Sequence, residues 1–176
     1  MPDDPQGKGD FEYEKNKSGP RFKSSSTDEE LGDMHLATEN YSVALEYYEK
    51  VLRSVHVSSA DSGELVRIYT KISDCYRKKG LLREAMTFLE SALAHCGQDD
   101  GIGLGTIACR RGIILYESGN NKDALKEGCS AYRTLRTSNE HREVAHAQLL
   151  IANCYARLGR NEEAEQFFLD ALSSYR

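Results

Sequence analysis

The chain has 176 residues, 39% of them hydrophobic, and a formal net charge of −5. This length fits one domain, and the acidic balance argues against nucleic-acid binding, which requires a basic surface. No run of 18 apolar residues occurs and the first residues lack the apolar core of a secretory signal, so the sequence predicts neither a membrane span nor secretion.

Residues 1–27 differ in composition from the rest of the chain. They contain all three prolines and a serine run but few aliphatic residues, too little apolar surface to fold alone. We interpret this segment as a flexible leader that precedes a domain at 28–176. The alternative is that residues 10–14 (Asp-Phe-Glu-Tyr-Glu) form a linear motif that docks in a groove, including one on this protein itself.

Beyond the leader, apolar residues recur every three or four positions, which is the helical period. The pattern predicts eight helices, at 28–38, 41–57, 62–79, 82–96, 102–118, 121–137, 139–158 and 161–175. Two capping boxes, Thr27–Glu30 and Thr137–Glu140, are predicted to open the first and seventh helices.

A short pattern of residues returns at nearly constant distance along these helices. A glycine is followed five residues later by an alanine in three places, and a glutamate takes the place of the glycine in an earlier copy. Successive alanines lie 41, 39 and 40 residues apart, a period that predicts a stacked helical repeat. The glycine suits the end of a first helix, and the alanine suits a close crossing of two helices. The pairs are Glu39 with Ala44, Gly80 with Ala85, Gly119 with Ala124, and Gly159 with Ala164.

The four copies resemble the tetratricopeptide repeat family. The resemblance rests first on the glycine–alanine spacing. In addition, a Leu or Ile is followed by a small residue, such as Gly32, and four positions after that Leu or Ile an aromatic stands in two copies, at Tyr76 and Tyr155. A small residue followed by Leu then recurs near the end of copies. It implies an all-α, right-handed superhelix of four helix–turn–helix repeats, at about 28–57, 62–96, 102–137 and 139–175. The period departs from the family's 34 residues, and no proline ends a copy.

The resemblance also implies a partner-binding groove on the concave face, lined by the first helix of each repeat. The positions carried over are Arg67, Thr70, Asp74, Arg77, Lys78, Ile113, Tyr116, Leu149, Asn153 and Arg157. Their chemistry predicts that the bound peptide or helix has an acidic portion followed by an apolar portion. The acidic portion would face the basic residues of the groove, and the apolar side chains would pack on its apolar residues. Asn153 stands where such grooves place an asparagine that hydrogen-bonds a bound backbone. A merely solvated helix face is the alternative for the charged positions.

Glu29 and Asp33 stand where family members that bind chaperone tails need Lys and Asn, so that ligand is not expected. We also expect no enzyme activity, cofactor or metal, because the sequence shows no convergent nucleophile, base or ligand cluster. The predicted function is therefore a protein–protein interaction module, an adaptor or scaffold. The alternative is a regulatory sensing arm of a larger multidomain signalling or transcription regulator.

The five cysteines include no C-x-x-C pair, which predicts reduced thiols in a cytoplasmic protein. Cys75 and Cys154 hold equivalent positions in two copies and are expected to be small buried side chains. At the C-terminal edge, Phe168 and Leu172 on the last helix are expected to be only partly covered. Either the chain is a fragment of a longer protein, which we favour, or that edge is buried in a homo-oligomer.

Overall fold

The computed structural model describes residues 24–57 and 62–175, so the segment at residues 10–14 lies outside the described part of the chain. Eight α-helices and no strand occur in the described residues. Their bounds are α1 Ser24–Ala37, α2 Tyr41–Val57, α3 Ser62–Lys78, α4 Leu82–His95, α5 Gly101–Glu117, α6 Asn121–Leu135, α7 His141–Arg157 and α8 Asn161–Ser174. None of these helices is both long and apolar enough to cross a membrane.

Consecutive helices pair into four helix–turn–helix repeats, and each pair closes over the periodic alanine. Ala44, Ala85, Ala124 and Ala164 are all buried, with at most 3% of their surface exposed. The small residue of the first helix lies against this crossing: the Ser73 hydroxyl donates to the Ala85 carbonyl oxygen at 2.8 Å. A Cβ on Gly112 would come within 3.2 Å of the Ala124 carbonyl oxygen. The predicted close crossing is therefore confirmed.

The turn inside each repeat requires a left-handed residue. Gly80, Gly119 and Gly159 have φ between 76° and 88°, and the next residue's N–H bonds to the carbonyl five positions back, as in Leu81 to Tyr76 at 2.9 Å. This is the arrangement in which glycine ends a helix at least strain. Glu39 adopts the same conformation in repeat one, with φ 61°, and carries the strain of a side chain there.

The repeats stack into a right-handed α–α superhelix. Each helix packs on its neighbours in the chain, and in the described residues the first helices of successive repeats also meet, α3 with α5 and α5 with α7. The second helices make no comparable contacts with one another there. The first helices therefore lie on the inner, concave side of the superhelix and the second helices on the outer, convex side.

The core runs along the stack between the two layers of helices. Tyr48, Ile72, Leu89, Ile107 and Ile151 are among its largest fully buried side chains. Cys75 and Cys154 are fully buried, as predicted, and burial raises the pKa of Cys75 to about 12 and that of Cys154 to about 11. All five cysteines are free thiols in the structure.

Two predicted helix starts differ from those observed by two residues or more. Helix α1 begins at Ser24, four residues earlier than predicted, so Thr27 lies inside the helix rather than before it. Helix α7 begins at His141, and Glu140 before it makes no side-chain capping bond. The Ser138 hydroxyl instead donates to the Leu135 carbonyl at 2.7 Å and accepts from the Glu140 N–H at 3.2 Å, so it completes the end of α6.

Candidate partner-binding groove

The concave face contains two adjoining depressions, of about 340 and 410 Å³, which together we call the groove. Both are bounded by α3, α5 and α7, and they share Asp74 and Arg110 as a dividing wall. The groove lies where the first helices of three successive repeats face one another.

Eight of the ten positions predicted from the sequence line the groove. One depression includes Arg67, Thr70 and Asp74; the other includes Asp74, Arg77, Ile113, Tyr116, Leu149 and Asn153. The structure therefore brings most of the predicted set together on one face.

Lys78 and Arg157 line neither depression. Lys78 is exposed at the last position of α3. Arg157 is exposed near the end of α7, where its Nε donates to the Tyr116 hydroxyl at 3.0 Å and its guanidinium lies 4.8 Å from the centre of that ring. Arg157 thus lies over the ring of Tyr116 without lining either depression.

An ion pair between equivalent positions occurs at two successive repeat interfaces on the concave face. Asp33 and Asp74 both lie eleven residues before the periodic alanine, and Lys71 and Arg110 both lie fourteen residues before it. Lys71 Nζ lies 2.6 Å from Asp33, and Arg110 Nε lies 3.1 Å from Asp74. In each case the base of one repeat binds the aspartate of the repeat before.

Arg110 has a second partner on the following repeat. Its Nη1 lies 2.7 Å from Glu143 Oε2, and only 14% of its side chain is exposed. Burial alone would lower the pKa of Arg110, but the carboxylates of Asp74 and Glu143 outweigh burial and raise it. Burial would likewise raise the pKa of Glu143, but His146 and Arg110 lower it to about 2. Both groups are therefore charged at neutral pH.

The predicted groove arginines are also paired within the chain. Arg67 binds Glu29, which is itself largely buried, and Arg77 Nη1 lies 2.5 Å from Glu117 Oε1. Arg77 also lies 3.4 Å from Asp74. The basic stretch that the sequence predicted is thus a network of ion pairs, in which each arginine that lines the groove is already paired with a carboxylate of the same chain.

The character of the groove changes between repeats three and four. Ile113 holds the aspartate position of repeat three and Leu150 the basic position of repeat four, and the two belong to one apolar cluster. Leu149 and Tyr116 extend this apolar surface. Asn153 holds the aspartate position of repeat four, and in the described part of the chain its amide makes no side-chain hydrogen bond. This half of the groove therefore offers apolar contact and a free amide.

The set of groove residues predicted from the sequence does not include Lys71, Arg110 or Glu143. The repeat register held a signal for the bases, because Lys71 and Arg110 fall at the same position of their copies. No group of His, Cys, Asp or Glu side chains suited to hold a metal ion is found among the residues that the structure describes.

Comparisons with known proteins agree with this architecture. Two family models, both described as "Tetratricopeptide repeat", match residues 24–98 and 109–176. The crystal structure of BtubC (BKLC) from P. vanneervenii is similar, with a TM-score of 0.68 and 14% identity over 86% of this chain and 63% of that one. The structure of Rap protein complexed with competence and sporulation factor has a TM-score of 0.70 and 18% identity over 86% of this chain and 43% of that one.

The chain thus spans less than two thirds of either similar structure. No curated protein sequence gives a significant match. The two family models together cover both halves of the repeat array, with its periodic turns, close crossings and concave face. The chain therefore belongs to the tetratricopeptide repeat family, whose members are protein-interaction modules.

Proposed function

We propose that this protein is an adaptor whose concave groove binds a peptide or helix of a partner protein. The observation that carries the proposal is the apolar half of the groove, where Ile113, Tyr116 and Leu149 surround the free amide of Asn153. Apolar side chains of a partner would pack on the first three. The Asn153 amide can both donate to and accept from a bound backbone.

The ion pairs in the other half change what is expected of the partner's charge. An acidic segment would have to displace Glu29 from Arg67 and Glu117 from Arg77 before it could bind them. We therefore propose that apolar and amide contacts supply most of the affinity, and that an acidic portion of the partner, where present, sets its register and direction. The similar Rap structure, solved in complex with competence and sporulation factor, supports a bound factor on this fold.

A homo-oligomer through α8 is less well supported than the groove. Phe168, Leu169, Leu172 and Tyr175 are 40–54% exposed, which leaves an apolar surface. However, α8 carries four carboxylates and no lysine or arginine, and only Glu163 among them has an ion pair in the described residues, so like charge disfavours contact between two copies of this helix. We propose that the groove, rather than this edge, carries the main function.

The test is an affinity capture from native cell extract with matched variants. Leu149→Arg/Asn153→Ala fills the apolar half and removes the free amide, and neither residue belongs to the buried core. A thermal melt establishes that the variant is folded. A protein captured by the wild-type chain and lost by this variant supports the proposal. Capture of the same proteins by both chains would overturn it.

A further inference from the structure

The convex side of repeat three carries a depression that the groove does not explain. Lys122, Leu125, Lys126, Cys129 and Arg133 share one side of α6, because they follow the three- and four-residue spacing of a helix face. With Leu158, at the turn after α7, they border a depression of about 610 Å³. We call this surface the α6 face. Its three cations are exposed, and its floor is apolar.

The basic character of the α6 face is peculiar to one repeat. Lys122, Lys126 and Arg133 are the equivalents of Ser42, Glu46 and Arg53 in repeat one, of Arg83, Thr87 and Ala94 in repeat two, and of Glu162, Gln166 and Ser173 in repeat four. The other repeats form the same helix with at most one cation at these places. The repeat structure therefore does not require three cations here.

These cations are also poorly neutralised by the chain itself. Lys126 Nζ lies 2.8 Å from Asp123, but both side chains are well exposed, and such surface pairs contribute little. Lys122 and Arg133 have no carboxylate within ion-pair distance in the parts of the chain that the structure describes. The α6 face is thus locally positive on a chain whose net charge is −5.

We propose that the α6 face is a second docking surface, for an acidic, amphipathic segment of a partner protein. The segment's carboxylates would bind Lys122, Lys126 and Arg133, and an apolar side chain would enter the depression against Leu125 and Leu158. Lys122 and Arg133 are eleven positions apart on the helix, about 16 Å along its axis, so a helix of three turns spans the site. The apolar floor distinguishes this ligand from a nucleic acid, whose phosphates would gain nothing from it.

The experiment selects peptides without assuming their sequence. A library of random twelve-residue peptides displayed on phage is selected on the wild-type chain, and enriched peptides are measured by fluorescence anisotropy. Some enriched peptides are expected to combine carboxylates with an apolar residue. Their affinity should fall about tenfold or more for Lys122→Glu/Arg133→Glu and should weaken steeply with salt. Bound peptide should also protect Lys122 and Lys126 from acetylation.

The matched control is Arg53→Glu/Arg83→Glu, which makes the same charge change at equivalent positions of repeats one and two. Affinity should be unchanged in this control and in Leu149→Arg/Asn153→Ala, which separates the α6 face from the groove. The proposal is overturned if no selected peptide distinguishes wild-type from Lys122→Glu/Arg133→Glu. It is also overturned if the only ligands that bind wild-type more tightly than Lys122→Glu/Arg133→Glu are phosphatidylcholine–phosphatidylserine vesicles or polyuridylic RNA.

Discussion

The groove and the α6 face contain similar numbers of cations, but in the described residues only the cations of the groove pair with carboxylates of neighbouring repeats. In the groove, Lys71 and Arg110 each bind carboxylates of neighbouring repeats at 3.1 Å or less. On the α6 face, Lys122 and Arg133 extend into solvent with no such partner among the described residues. A basic residue on a helical repeat can therefore either form ion pairs within the fold or remain unpaired in solvent. Only its neighbours in space distinguish the two cases.

The comparison is tested first by removing one cation from each surface. Arg110→Met should lower the free energy of unfolding by about 3 kcal/mol, because it leaves the partly buried carboxylates of Asp74 and Glu143 without their shared cation. Arg133→Met should change it by less than about 0.5 kcal/mol, as expected of an exposed side chain. Urea denaturation measures both. Equal losses in the two variants would mean that the groove pairs do not stabilise the fold.

Acid should weaken the groove network through Glu143. The folded-state pKa of Glu143, lowered to about 2 from 4.5, gives stability that is present above the unfolded pKa and is lost as pH falls towards 2. Glu143→Gln should therefore lower the unfolding free energy by about 2 kcal/mol at pH 7. The deficit should shrink as pH falls through about 4 to about 2.

Unfolding measured at several pH values checks this expectation, with Glu162→Gln as the exposed control. The control should follow the wild-type curve throughout, because Glu162 lies on the solvent side of α8. A deficit of Glu143→Gln that stays constant down to pH 2 would contradict the assigned pKa.

A substitution away from both surfaces, at Glu39, should raise the stability of the chain. Destabilised groove variants could then be measured while they remain folded. Glu39→Gly relieves a left-handed side chain and should stabilise the chain by about 1 kcal/mol. Gly119→Ala, at the equivalent turn of repeat three, should destabilise it by a similar amount. If Glu39→Gly is neutral or destabilising in thermal and urea unfolding, the strain assigned to Glu39 is absent. If it stabilises as expected, it provides a background in which the weaker groove variants remain folded.

The smallest expected difference needs no substitution. Lys71 is largely covered and lies between Glu29 and Asp33, at 2.8 and 2.6 Å, whereas Lys122 is exposed. Brief acetylation of the folded chain, followed by peptide mass spectrometry, should therefore modify Lys122 several-fold faster than Lys71. Similar rates would show that the groove pair opens readily, and the distinction between the two surfaces would then be weaker than the distances indicate.

The sequence was sufficient for the repeat architecture because that information is local and periodic. Gly80, Gly119 and Gly159 end first helices as predicted, and even the degenerate Glu39 takes the left-handed conformation of its position. Helix starts were less predictable where polar residues compete. Ser138 can cap the following helix or complete the preceding one, and the geometry of the turn decides for the latter.

The groove was predictable in position but not in its electrostatics. Eight of the ten expected residues line it because the helical period fixes which side of α3, α5 and α7 they occupy. The ion pairs between repeats join residues 33 to 42 positions apart, as in Arg110–Glu143 and Lys71–Glu29. Their formation depends on the rotation between repeats, which no local pattern encodes. The sequence therefore showed charged positions without showing which were already neutralised.

The contacts of Arg110 have a consequence for how the array unfolds. In a simple solenoid each repeat is coupled only to its nearest neighbours, so stability behaves as a one-dimensional Ising chain and the ends fray independently. Each ion pair of Arg110 joins nearest neighbours, but one guanidinium on repeat three serves both interfaces, so the energies of those two interfaces are coupled. Loss of repeat two or repeat four would leave the Arg110 guanidinium with only one of its two carboxylates. Repeats two to four should consequently melt as one cooperative unit, with hydrogen-exchange protection that rises and falls together across all three.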